Sequence, residues 1–185
     1  ATLYDIGCGP GNFLRSLDPA WTVFGSDINR FAVETSQQSI RHGRFAIGSG
    51  ATETLFPDRF SVITAFDVLE HVPGVEEAGG TIAAQLLPGG IFVFVVPVYD
   101  GLSGPIITLL DKDPTRVSKR ARTFWLDWAR AHFDVVSWQG IVRYLLPGGV
   151  YLHWPTSALR WHTPAILVVC RSRAAVRAGD RRGPG

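Results

Sequence analysis

Two features of this 185-residue chain have the residue types and spacing to hold a ligand, and a third has the types to move a proton. The first is a glycine loop, Asp5-Ile-Gly-Cys-Gly-Pro-Gly11. Gly7 and Gly9 let the backbone take positive φ and come close to a bound molecule, which a residue with a Cβ does only at a cost. The second is Asp27, about 20 residues further on, placed where a carboxylate can accept hydrogen bonds from both hydroxyls of a ribose. The third is the adjacent pair Glu70-His71. A neutral imidazole with a reference pKa near ~6.5 suits a general base. The competing structural reading of that pair is that both side chains satisfy backbone groups at a turn.

The spacing within the loop narrows the ligand. A dinucleotide fingerprint is G-x-G-x-x-G, with the pyrophosphate at a helix N-terminus. Here the glycines run G-x-G-x-G, and Asn12 stands where the last fingerprint glycine would fall. Asp5, two places before Gly7, favours a cationic group and opposes a pyrophosphate. A nicotinamide-dependent oxidoreductase is therefore the weaker reading, though the loop alone leaves it open.

The remaining chemically capable side chains are aromatic or imidazole. His132, His153 and His162 show no helical ligand spacing, so no metal site is expected. Phe124, Trp125 and Trp128 lie on one face of an expected helix and read as core anchors. Asp111-Lys-Asp-Pro-Thr-Arg116 falls where a substrate lid is often built. A second aromatic group comprises Trp138, Tyr144, Tyr151, His153, Trp154, Trp161 and His162. His153, Trp154 and His162 are the candidate substrate contacts, because loops on a rigid scaffold carry recognition.

These residues need a scaffold, and the hydrophobic pattern supplies one. Strands are expected at 3–6, 21–26, 45–47, 60–66, 91–96, 135–138 and 165–170. Helices are expected at 12–17, 31–40, 75–87 and 121–133, the third stopped by Pro88-Gly-Gly90. Strands 60–66 and 91–96 are apolar almost throughout, as suits burial on both faces of a parallel sheet. The alternation gives an α/β fold with a doubly wound, mostly parallel, seven-stranded Rossmann-like sheet. Residues 139–164 read as irregular. Leu-Leu-Pro-Gly-Gly at 86–90 and 145–149 reads as two independent turns rather than a repeat.

Composition bounds the rest. Size, 46% hydrophobic and 18% charged residues fit one soluble domain, expected over 1–172. The formal net charge is +2. The five arginines and one aspartate from Arg171 onward carry +4 of it, which leaves about −2 on the body. That distribution argues against a nucleic-acid groove, and 173–185 reads as a disordered basic tail. Cys8 and Cys170 form no framework, which fits a reducing compartment. No apolar run reaches the ~20 residues of a membrane span, and a cytoplasmic location is expected. Sixteen arginines against two lysines hint at a GC-rich, bacterial source. With no Met, and with a start already inside the first strand, a helix preceding that strand is expected to be missing. Oligomeric state is not legible.

Four segments in order carry a resemblance. Tyr4-Asp-Ile-Gly-Cys-Gly-Pro-Gly11 resembles motif I of the class I methyltransferases, and Gly25-Ser-Asp-Ile28 their second cofactor motif. Phe66-Asp-Val-Leu-Glu-His-Val72 resembles their fourth, and Leu86-Leu-Pro-Gly-Gly-Ile-Phe-Val-Phe94 the junction before strand five. The likeness is dense from Leu3 to about Pro97, and it resembles the small-molecule methyltransferase group that includes quinone-biosynthesis methyltransferases. It implies the fold above with an antiparallel last strand, and S-adenosylmethionine as cofactor. It implies a small-molecule acceptor methylated most readily at oxygen. Position by position, Asp5, Gly7 and Gly9 would surround the methionine end, with Phe66 helping through its backbone and Gly11 also binding the cofactor. Asp27 would take the ribose and Ile28 one face of the adenine. Where many relatives carry Asp after strand three this chain has Ile47-Gly-Ser-Gly-Ala51, so Ser49 or Ala51 would have to serve the adenine amino group. His71, with Glu70, would face the acceptor, and a metal is not implied for this chain. A non-catalytic module that binds the cofactor without turnover is the remaining alternative.

Overall fold

The structure is a computed structural model that describes residues 1–100, 117–146 and 150–173, with backbone alone for 144–146 and 150–153. Its elements are β1 (Thr2–Ile6), α1 (Asn12–Arg15), β2 (Thr22–Asp27), α2 (Arg30–Ser39), β3 (Arg44–Ile47) and β4 (Phe60–Phe66). A 3-10 turn at Leu69–His71 follows, then α3 (Val75–Gln85), β5 (Leu86–Pro97), α4 (Arg122–His132), β6 (Asp134–Leu146), β7 (Val150–Thr156) and β8 (Ala165–Arg171). Together the strands form one sheet in the order β3-β2-β1-β4-β5-β8-β6-β7. From β1 to β5 every pairing is parallel, whereas β8 runs antiparallel to β5 and β6. The order reverses direction between β1 and β4, the switch point at which open α/β sheets bind ligands.

Strands alternate their side chains between two faces, and β1 shows the result. Tyr4 and Ile6 enter a core with Phe24, Phe60, Phe92 and Phe94 that α3 and α4 cover. Leu3 points the other way, into a smaller core with Val23, Leu14 of α1 and Ile40. Trp125 and Trp128 are core anchors as expected, and the Trp128 indole N–H donates to the Val75 carbonyl at 2.7 Å, tying α4 to α3.

The sheet departs from the sequence reading in two places. It has eight strands rather than seven, because 139–164 is not all irregular: β6 runs on to Leu146 and pairs antiparallel with β7. Pro155 obscures that strand in the sequence, yet β7 is the sheet edge, where a residue lacking an N–H is tolerated. The other departure is at 86–90, which is not a helix stop followed by a turn. Leu86 already pairs with Phe60 as the start of β5, across an irregularity between Phe60 and Val62. The expected lid at 111–116 lies outside the described residues, as does the expected tail beyond Arg173. Arg173 itself is anchored, with its guanidinium donating to Asp134 and to the carbonyls of Arg130, Ala131 and Phe133. No helix among the described residues is long and apolar enough to cross a membrane.

One buried cation fastens the far side of the sheet. The Arg122 side chain is 2% exposed and pairs with Asp100 at 3.1 Å, while also donating to the carbonyls of Arg160 and Thr163. It thereby joins the chain after β5, the start of α4 and the approach to β8. Removing one partner of a buried pair costs about 3–5 kcal/mol because the other charge stays desolvated. Arg122→Ala is expected to lose about 3 kcal/mol, the low end, since Asp100 keeps some contact with water. Equilibrium urea unfolding, read at constant m-value, checks it.

Candidate functional site

The glycine loop is pinned from below by the end of β2. Gly7 and Cys8 both donate their N–H to the Ser26 carbonyl, at 2.7 and 2.9 Å, and Gly9 N–H donates to Asp27 Oδ2 at 3.0 Å. The Ser36 hydroxyl closes the other side by donating to the Gly9 carbonyl at 2.9 Å. Gly7 has φ +74°, and a Cβ there would lie 2.1 Å from a Val68 methyl. Glycine is thus required twice over, by backbone and by space. At Gly9, with φ +52°, a Cβ would meet nothing within 4 Å, so this turn of the loop faces open space.

Beside the loop lies a cleft of about 530 Å³ across the carboxyl ends of the first four strands. Ile6 and Gly7 contribute from β1, Asp27 and Ile28 from β2, and Gly48 and Ser49 from beyond β3. The segment after β4 supplies the opposite wall: Phe66, Asp67, Val68, His71, Val72 and Pro73. The lining carries two carboxylates and no Lys or Arg, a donor set that suits a cationic ligand with hydroxyls and an apolar ring. S-adenosylmethionine fits that description, and a pyrophosphate does not. A second depression of about 470 Å³ lies against β6 between Arg130, Trp138 and Arg160, away from the glycine loop.

Of the residues singled out in the sequence, the fold brings Gly7, Asp27, Ile28, Ser49, Phe66 and His71 to the cleft wall, with Gly9 bound to Asp27 beside it. Ile28 is 77% exposed, open to stack against a ring. Gly11 is buried at the start of α1, with φ +79°, and serves the turn rather than the wall. Ala51 is fully buried. It sits beside Gly50, whose close approach to the Tyr4 hydroxyl leaves no room for a Cβ. The Ser49 N–H is already taken by Glu53 Oε1 at 3.1 Å. An acid therefore does stand near that turn, four residues beyond Ser49 and six beyond the end of β3.

Asp5 is also beneath the cleft rather than in its wall. It is 4% exposed and accepts a 2.6 Å hydrogen bond from the Thr64 hydroxyl on the neighbouring strand. Burial pushes its carboxyl up to about 7, with the Asp27 charge adding and the Thr64 bond opposing. Burial likewise pushes the Cys8 thiol up to about 12, which leaves it protonated and unreactive.

His71 and Glu70 occupy the 3-10 turn after β4. The imidazole is 29% exposed at the cleft, and its Nε2 lies 3.8 Å from Glu70 Oε1. Glu70 is fully buried against the imidazole and does not line the cleft. Among the described residues no cluster of three His, Cys, Asp or Glu side chains could hold a metal ion. Trp154, on β7, and His162, in the turn before β8, are exposed and do not line the cleft, and the side chain of His153 lies outside the described residues. Sequence reasoning missed Asp67. It is the only non-glycine residue with positive φ among those described, at +55°, and its N–H donates to the Val95 carbonyl. A left-handed aspartate has no fixed sequence signature, because Asp tolerates that region without glycine's help.

The raised Asp5 carboxyl predicts a pH dependence. A folded-state value of about 7 against an ordinary 3.8 means that the stability it contributes is fully present below about pH 4. That stability is lost as pH rises through about 7, because the unfolded chain releases the proton first. Asp5→Asn is expected to remove this fall, so that the variant gains on the parent between pH 5 and pH 8. Urea unfolding at the two pH values measures the difference.

Comparison with known proteins places this geometry. The family model described as a methyltransferase domain matches residues 1–165. The chain is similar to trans-aconitate 2-methyltransferase from Variovorax paradoxus, with 28% identity over 170 residues. That alignment takes in 88% of this chain and 60% of the relative, so the chain spans well under the relative's full length. Among solved structures, the YcgJ protein from Bacillus subtilis superposes with a TM-score of 0.69 at 19% identity, covering 94% of this chain and 92% of that one. N-methyltransferase NodS from Bradyrhizobium japonicum gives 0.64 at 19%, over 94% and 86%. The [4+2]-cyclase SpnF gives 0.71 at 20%, over 94% and 75%, so the fold alone does not name a reaction. The family match, the pinned glycine loop and an acidic, apolar cleft at the switch point agree: the chain belongs to the methyltransferase-domain family, as a class I S-adenosylmethionine-dependent member.

Proposed function

We propose that the chain transfers the methyl group of S-adenosylmethionine to an oxygen of a small-molecule acceptor. The cleft carries the reading: it joins a ribose acceptor, Asp27, and an apolar ring shelf, Ile28, to a wall where His71 faces the space past β4. When bound, the cofactor supplies an electrophilic methyl on a sulfonium, and the departing thioether needs no proton. The protein's share is therefore placement, which is worth up to ~7–11 kcal/mol when two reactants are held in attack geometry. His71 orients the acceptor oxygen and takes its proton where that oxygen belongs to a hydroxyl. Glu70, behind it, sets the position of the ring. The relative named for trans-aconitate supports a small acceptor and makes that acid the first to assay.

Calorimetric titration with adenosylhomocysteine tests the cofactor half. Asp27→Ala is expected to weaken binding about 10- to 100-fold, the range for losing a charged hydrogen-bond partner. Retention of NAD instead would overturn the reading. The acceptor half is read by label transfer to a panel of small acids and alcohols. His71→Gln is expected to lower kcat at least tenfold with the adenosylhomocysteine Kd unchanged, whereas a loss confined to cofactor binding would remove His71 from the acceptor side.

A further inference from the structure

Asp67 is held in the left-handed region, at an energetic cost, with its carboxylate on the cleft wall. Its partner comes from far away in the sheet. Arg143 Nη1 donates to Asp67 Oδ1 at 2.6 Å, although β5 and β8 lie between β4 and β6 in the strand order. The side chain crosses at the carboxyl end, on the side of β6 shared with Ile141, which packs with Val95 and Ala165 against Phe66. A cation is thus brought against Asp67 of the acidic cleft wall, next to the residue that ends β4.

The contact leaves most of the guanidinium unused. Asp67 takes one of five N–H donors, Arg143 makes no other hydrogen bond among the described residues, and its Nε is shielded from solvent without an acceptor. A pair whose side chains are 21% and 37% exposed contributes little to stability on its own. A planar fork with free donors is the group that matches a carboxylate in two parallel hydrogen bonds.

Resting on the methyltransferase reading above, we propose that Arg143, positioned by Asp67, anchors a carboxylate of the methyl acceptor, so that the acceptor is a small di- or tricarboxylic acid. A second carboxylate of the same molecule is then the nucleophile. One of its oxygen lone pairs forms the new O–CH3 bond while the C–S bond breaks and its electrons pass to sulfur, giving a methyl ester and a neutral thioether. No proton moves, because a carboxylate is ionised at neutral pH. With such an acceptor, His71 acts by orientation.

The test uses trans-aconitate, its trimethyl ester and citrate as probes, titrated into the protein saturated with adenosylhomocysteine. The parent is expected to bind the acid and not the ester. Arg143→Gln is expected to weaken the acid at least tenfold, with Arg143→Lys between the two and the adenosylhomocysteine Kd within twofold in both. Equal binding of the acid by parent and Arg143→Gln would overturn the proposal, as would a loss of adenosylhomocysteine and acid together, which marks Arg143 as structural. A parent that binds adenosylhomocysteine but neither trans-aconitate nor citrate would also overturn it, while leaving the methyltransferase reading intact. A parent that does not bind adenosylhomocysteine would overturn that earlier reading instead.

Discussion

The site depends on one carbonyl. Ser26, at the end of β2, accepts the N–H groups of both Gly7 and Cys8, and the next residue, Asp27, accepts that of Gly9. These three bonds bend the chain back over the sheet just after β1 and fix how far the loop stands from the neighbouring strand. They also set the Asp27 carboxylate in the wall of the cleft, where its second oxygen accepts from Asn29 N–H at 2.8 Å. A loop left to its own torsional freedom would lose that placement, since each unfixed residue carries about 1–2 kcal/mol of conformational entropy.

The loop in turn fits its surroundings by the absence of side chains. Gly7 makes room for Val68, and Gly25 of β2 makes room for Cys8 and Phe45. Gly50 lets the Tyr4 hydroxyl in, where it pairs with the Ser26 side chain at 2.7 Å. The ends of β1, β2 and β4 are therefore packed against one another at backbone distance. A charge arrangement lies on top of that packing: Asp5 beneath, Asp27 and Asp67 in the wall, Arg143 against Asp67. Burial raises the Asp5 carboxyl to about 7, so it carries less negative charge at neutral pH than an exposed carboxylate would. Both signs of charge therefore meet beside the cleft, in the contact of Asp67 with Arg143.

The parts legible in the sequence were those encoded locally. Leu3 to Ile6 running into glycines, followed after about 20 residues by Asp27, is a pattern within one βαβ unit, and the fold kept every piece of it. Trp125 and Trp128 were legible as core because helical spacing puts them on one face. β7 was not, since an edge strand with a proline, tryptophan and histidine has no clean alternation and takes its conformation from pairing with β6. Leu86 is similar: helix-like by its preceding residues, it becomes strand because Phe60 is there to pair with it.

The sequence by itself determined the strand ends and the glycine turn, because glycine spacing and short-range hydrophobic period are local quantities, while the family and cofactor class came from the resemblance that its four motifs carry. Tertiary structure decided which of those residues face the cleft. Asp5 and Ala51 turned out to lie below it, as burial between packed strands dictates, and Glu70 behind His71. The contact of Arg143 with Asp67 joins residues 76 positions apart, and it exists only because the sheet brings the ends of β4 and β6 within reach of one long side chain.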